Sequence, residues 1–162
     1  MKYYEELFDF AYPFDKYDTV FCPEFNFGAM ENPGCVTFNE NSHLLYRASN
    51  ITAKTYRAYT TLHELSHMWF GNLVTMEWWD GLWLKESFAS YMGYYCLMNF
   101  SLRADYPESR ISYWNYKEYG YQCDERDSSH PVASVIPNTE ALDTIYDGIT
   151  YRKGCSALAL LC

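Results

Sequence analysis

The segment His63-Glu64-Leu65-Ser66-His67 constrains this chain more than any other five residues. It lies inside a helical pattern running from about Thr52 to Phe70, with Asn50 or Thr52 as its start signal. Gly71-Asn72 stands where a helix C-terminus favours a left-handed residue. Residues four apart share one helix face, so His63 and His67 can converge on a single ion. Two neutral imidazoles and one carboxylate, with the fourth position left to water, make up the usual catalytic zinc site. Glu64, beside the first ligand, is placed to take a proton from water on the metal rather than to bind it. Two of only four histidines in 162 residues fall in this one segment, which argues against chance.

Such a site needs a carboxylate from another element. Leu84-Lys85-Glu86-Ser87 follows on a second long helical pattern, Leu82 to Phe100. An isolated Glu on a helix is ordinarily solvated. The flanks of Glu86 (Leu82, Trp83, Leu84, Phe88, Ala89) are apolar, which predicts burial, and a buried carboxylate requires a partner. The expected metal set is therefore His63, His67 and Glu86, with one zinc ion per chain.

The rest of the chain reads as a short N-terminal helix, Lys2 to Phe10, stopped by Pro13. Strands follow at Tyr17 to Phe21 and Cys35 to Phe38, joined by the turn-rich piece Pro23 to Gly34. Tyr106 to Asn138 is polar, contains three prolines and predicts a loop with short helical pieces. Tyr151 to Cys162 opens a third apolar helix. His43 reads as a surface or turn histidine, and His130, next to Pro131, as a residue that orders its loop. Trp69, Phe70, Trp78, Trp79 and Trp83 read as packing residues.

A net charge of −9 disfavours nucleic acid and anionic membrane as partners. No apolar run approaches the roughly 20 residues of a membrane span. The six cysteines form no CxxC pair, and reduced thiols in a reducing, cytoplasmic compartment are expected.

The run HELSHMWFGNLVTMEWWDGLWLKESFASY, from His63 to Tyr91, resembles the catalytic stretch of the M1 family of zinc aminopeptidases. Gly28-Ala29-Met30-Glu31-Asn32 is similar to the GAMEN motif of that family, and Tyr151-Arg152-Lys153-Gly154 to its YxKG motif. The resemblance implies an α+β fold: part of a thermolysin-like zinc metallopeptidase domain, with a small N-terminal strand region followed mainly by helices. It implies that residues 1–162 lack the N-terminal β-domain and C-terminal helical domain of that family. The 20% aromatic content then reads as surface meant for a cleft and for neighbouring domains or chains.

By the same resemblance His63, His67 and Glu86 are zinc ligands, and Glu64 is the general base. Gly28, Ala29, Met30, Glu31 and Asn32 bind the peptide substrate: Glu31 holds its free α-ammonium, and Gly28 and Ala29 pair with its backbone. Tyr151 stabilises the developing oxyanion. Ser66, Met68, Ser87 and Pro33 depart from frequent residues of the family without removing any of these groups. Ala29 favours an aminopeptidase over the branch that carries GGMEN. Two functional readings follow: a zinc aminopeptidase acting on peptides with a free N-terminus, or a silent remnant serving as a structural or interaction module.

Overall fold

A three-stranded sheet near the N-terminus and two long central helices frame the molecule, which a computed structural model describes over residues 1–46, 48–99 and 101–161. Helix α1 (Lys2–Phe8) ends at Asp9, which takes a left-handed conformation (φ 49°) and stops the helix before Pro13 is reached. Tyr4 is fully buried, and its hydroxyl lies 3.1 Å from the carbonyls of both Leu62 and Met92. That single side chain ties the N-terminal helix to the two central helices.

Strands β1 (Asp18–Cys22) and β3 (Cys35–Asn39) fall on the expected segments and pair in parallel. Between them the turn-rich piece holds a short strand the sequence did not announce, β2 (Ala29–Met30), antiparallel to β3. The strand order β1-β3-β2 leaves β2 at the edge. Asn39 fixes the approach to this edge: its amide N–H donates to the Gly28 carbonyl at 2.8 Å, and its side chain donates to the Phe25 carbonyl at 2.6 Å. A four-residue helix, α2 (Glu40–His43), follows. His43 is completely buried there, stacked on Tyr56 and edge-on to Phe38, so its expected place at the surface is corrected. His43 is the one buried residue of α2, and four residues are too few to register as a period.

Helix α3 (Ile51–Ser66) starts as expected, with the Asn50 side chain accepting from the Ala53 N–H at 2.9 Å. It stops at Ser66 rather than continuing to Phe70. Met68 and Trp69 tighten onto the carbonyls three residues back, and Asn72, Leu73 and Val74 then reach back five residues. Gly71 has a φ of 134°, and a Cβ there would lie 3.2 Å from His67 Nδ1, so glycine serves both the turn and the ring beside it.

Helix α4 (Leu82–Asn99) is buried on several sides, as its largely apolar sequence dictates. It lies against α3 on one side and, on the other, against a π-helical turn (Ile149–Lys153) and α6 (Gly154–Leu161). The expected helix ends at Phe100 and Cys162 lie outside the described residues. The segment from Tyr106 to Asn138 departs most from expectation, since it holds a sixteen-residue helix, α5 (Ser109–Asp124). Its polar exterior hid the period, because only Ser109, Gly120 and Cys123 are buried.

The main core joins Tyr4, Val36, Phe38, Leu65, Met68, Trp69, Met92 and Cys96. Trp69 is buried as expected and donates through Nε1 to the Phe10 carbonyl at 3.1 Å. Trp78 is 46% exposed, a correction to its expected burial, and donates through Nε1 to the Ile136 carbonyl at 2.7 Å. Cys22, Cys35, Cys96, Cys123 and Cys155 are free thiols. Among the described residues no helix is long and apolar enough to cross a membrane.

Candidate metal centre

The i, i+4 spacing on α3 puts both imidazoles on the face that meets α4. His63 Nε2 and His67 Nε2 are 3.1 Å apart, and each lies 3.3 Å from Glu86 Oε2. A tetrahedral ion with donors at about 2.0–2.1 Å sets those donors about 3.3–3.4 Å from one another. The three atoms therefore form one face of a tetrahedron of the size zinc takes. His67 Nδ1 lies 2.9 Å from the Phe70 carbonyl. A carbonyl only accepts, so the ring hydrogen sits on Nδ1 and Nε2 presents its lone pair. All three side chains are buried. The donor set thus fits a zinc-type ion in atom type and spacing, and His67 fits it in tautomer as well.

The carboxylates around this triangle titrate in opposite directions. Burial opposes the charge of Glu86, but His67, His63 and Lys85 outweigh it and hold the carboxyl well below its ordinary range. Glu64 is buried with Oε2 lacking a partner among the described residues. Burial pushes its carboxyl up to about 8, with His63 opposing and the charges of Glu31 and Glu86 adding to the rise. Two buried carboxylates that feel each other's charge are thus driven apart, the usual sign of separate acid–base duties. For His67, burial works against the charged ring, but Glu86 more than offsets it and raises the pKa.

Glu31 follows edge strand β2 and is 7% exposed. It comes together with Glu64 and His67, each offering a ligand atom within 4.8 Å of the others. Its backbone carbonyl accepts from Asn72 Nδ2 at 2.9 Å, which joins the GAMEN segment to the turn after α3. Gly28, Ala29 and Met30 line the sheet edge leading to it. Asn32 points elsewhere, its Nδ2 lying 3.4 Å from Thr37 Oγ1.

Tyr151 sits on the π-helical turn, its ring stacked near His63 at 6.1 Å between centroids. The turn is held from below: Asp147 Oδ1 accepts from the N–H groups of Ile149 and Thr150 at 2.9 and 3.1 Å. His130 Nε2 lies 3.0 Å from the other oxygen of Asp147, so His130 orders its loop, as expected. Burial, with the added charges of Glu86, Glu31 and Glu64, raises the Tyr151 pKa well above its ordinary value. Its hydroxyl therefore stays protonated as a donor.

Several residues at the site were missed in the sequence. Lys85 forms an ion pair with Glu31 and lies 3.2 Å from Glu86 Oε1. Burial opposes its charge, yet Glu86 and Glu31 outweigh burial and raise its pKa. Its place directly before Glu86 was the available signal. Tyr17 is raised by burial and by the charge of Glu64, and its hydroxyl has no partner among the described residues. As one tyrosine among 17 it gave no signal.

Ser87 donates from Oγ to the Thr150 carbonyl at 2.5 Å and pins the π-helical turn to α4. The opposite wall is Gly154, where an added Cβ would overlap Ser87 Oγ and lie 3.2 Å from Val132 Cγ1. Gly154→Ala is expected to cost about 1–3 kcal/mol, read as a lower urea midpoint. Adding Ser87→Gly removes the overlapping atom and should restore much of the loss. Additive losses in the double variant would refute the contact.

These side chains define a buried centre with a donor set of the zinc type. The profile of the Peptidase family M1 domain matches residues 1–162, and the chain belongs to that family. Aminopeptidase N of Streptomyces lividans is 46% identical over 162 residues, covering 98% of this chain and 18% of that protein. Puromycin-sensitive aminopeptidase of Caenorhabditis elegans is 43% identical over 166 residues, covering 99% and 17%. Probable aminopeptidase 2 of Sulfurisphaera tokodaii is 37% identical over 162 residues, covering 99% and 20%. The chain thus spans about a fifth of the length of the curated relatives it matches. The fold is mixed, helical with one small sheet, as an α+β segment of such a domain requires.

Proposed function

We propose that the chain carries the catalytic centre of a zinc aminopeptidase that removes N-terminal residues from peptides. The observation that carries this reading is the triangle of His63 Nε2, His67 Nε2 and Glu86 Oε2, with edges of 3.1 to 3.3 Å. When bound there, zinc supplies a Lewis acid and lowers the pKa of water toward 7. Glu64 takes the proton of the attacking water on a carboxylate oxygen and delivers it to the leaving amine. A carboxyl poised near neutral pH suits both steps. The Tyr151 hydroxyl donates to the oxygen on which negative charge develops.

Glu31 receives the substrate's α-ammonium in place of Lys85, a fixed negative charge that selects chain ends over internal peptide bonds. The outer edge of β2, at Gly28 and Ala29, offers its backbone to an extended substrate. Free thiols support a reducing, cytoplasmic setting. The expected partners are peptides with a free N-terminus, without nucleic acid or membrane.

The test compares an aminoacyl fluorogenic amide with its N-acetylated counterpart. The free amine should be cleaved at least about 100-fold faster. Equal cleavage of both would remove the role of Glu31, and bound zinc with neither cleaved would favour the silent module.

A further inference from the structure

A histidine binds a metal through one nitrogen only if its ring hydrogen is held on the other. At His67 the Phe70 carbonyl does this, since it can only accept. At His63 the corresponding atom meets a hydroxyl instead, with Nδ1 3.4 Å from Ser90 Oγ. A hydroxyl donates or accepts according to its other neighbours, so the tautomer of His63 is decided one shell further out.

Ser90 is fully buried on α4, and two tyrosines converge on it. Tyr116 Oη, from α5, lies 2.8 Å from Ser90 Oγ, and Tyr59 Oη, from α3, lies 3.2 Å from it. The rings of Tyr59 and Tyr116 lie against each other, 5.6 Å between centroids. Three hydroxyls thus meet behind the histidine, with Ser90 Oγ between the other two. Were both tyrosines to donate to Ser90, its lone pairs would be filled. Its own hydrogen would then face Nδ1, leaving the hydrogen of a neutral His63 ring on Nε2, where it would block a metal. If Tyr116 instead donates to Ser90 and Ser90 donates to Tyr59, the Ser90 hydrogen is engaged away from the imidazole. One lone pair of Ser90 then stays open for the Nδ1–H of His63.

We propose that Ser90, backed by Tyr59 and Tyr116, is a positioning residue for His63: its Oγ accepts the Nδ1 hydrogen and keeps Nε2 bare toward His67 Nε2 and Glu86 Oε2. The proposal rests on the zinc-site reading above. It also gives α5, the helix least visible in the sequence, a share in the centre through Tyr116. The two ligands on α3 are thereby oriented by different means, one by a backbone carbonyl and one by a buried hydroxyl.

The test uses the full chain and two readouts. In the metal-free protein, nitrogen NMR of the neutral histidine rings should place the His63 hydrogen on Nδ1, and Ser90→Ala should move it to Nε2. Zinc affinity, measured by competition with a chromophoric chelator, should fall about 10–100-fold in Ser90→Ala. Tyr59→Phe keeps the ring packing and removes the acceptor for the Ser90 hydrogen. It should weaken zinc in the same direction, with the visible spectrum of the cobalt-substituted protein altered in both variants. An unchanged tautomer in Ser90→Ala, or zinc affinity within threefold of the parent in both variants, would overturn the proposal. If the parent binds zinc no better than His67→Ala, the zinc-site reading fails separately, and the tautomer of His63 still decides the role of Ser90.

Discussion

Glu64→Gln is expected to retain zinc, lose hydrolysis by about 10²–10⁴-fold, and stabilise the metal-free protein. The loss follows from the place of Glu64, between the two histidines in sequence and beside Glu31 and His67 in space. The gain follows from its titration. Burial raises its carboxyl from about 4.5 to about 8. The folded chain therefore holds a proton that the unfolded chain releases, and stability falls as pH rises from about 4.5 toward 8. Glutamine cannot ionise, so the variant should gain nothing at pH 4. Its gain should grow to on the order of 2–3 kcal/mol at pH 7 and level off above about 8. Thermal melts of the stripped protein across this range test the claim. A variant less stable than the parent at pH 8 would show that Glu64 is satisfied in a way its unpartnered Oε2 does not indicate.

Glu86→Gln is expected to act with the opposite sign. Glutamine keeps the shape but gives up the anionic oxygen that meets both imidazoles at 3.3 Å, so zinc affinity should fall at least about 100-fold. Although burial opposes its charge, His67, His63 and Lys85 depress the Glu86 carboxyl well below its ordinary value. Its stabilising contribution is therefore present above about pH 4.5, the unfolded value, and is lost as pH falls through the depressed folded value. The metal-free variant should be destabilised by about 3–5 kcal/mol at pH 7, since His67 and Lys85 lose a buried partner. The deficit should shrink at acid pH. Two adjacent carboxylates, one costly to fold around and one that holds the fold together, are thus separated by chelator competition and melting curves.

The metal triangle was legible because helix geometry turns i, i+4 spacing into a shared face, and because apolar flanks marked Glu86 as buried. Strands β1 and β3 were legible from their runs of β-branched and aromatic residues. Helix α5 was not: its buried contacts are few, and an exposed helix carries little apolar period. Nor was β2, since two residues cannot display alternation. His43 and Trp78 exchanged their expected places because single-residue burial depends on tertiary neighbours, not on local pattern. Ser90 and Tyr59 reach the centre only through the packing of α3, α4 and α5, which no spacing within one segment encodes.

The central claim is that His63, His67 and Glu86 hold one zinc ion on which peptide hydrolysis depends. The most direct measurement is turnover of an aminoacyl fluorogenic amide while zinc is titrated into chelator-stripped protein. Activity should rise in proportion to added zinc and stop rising at one zinc per chain. Turnover that survives stripping, or full zinc loading without any turnover, would contradict the account.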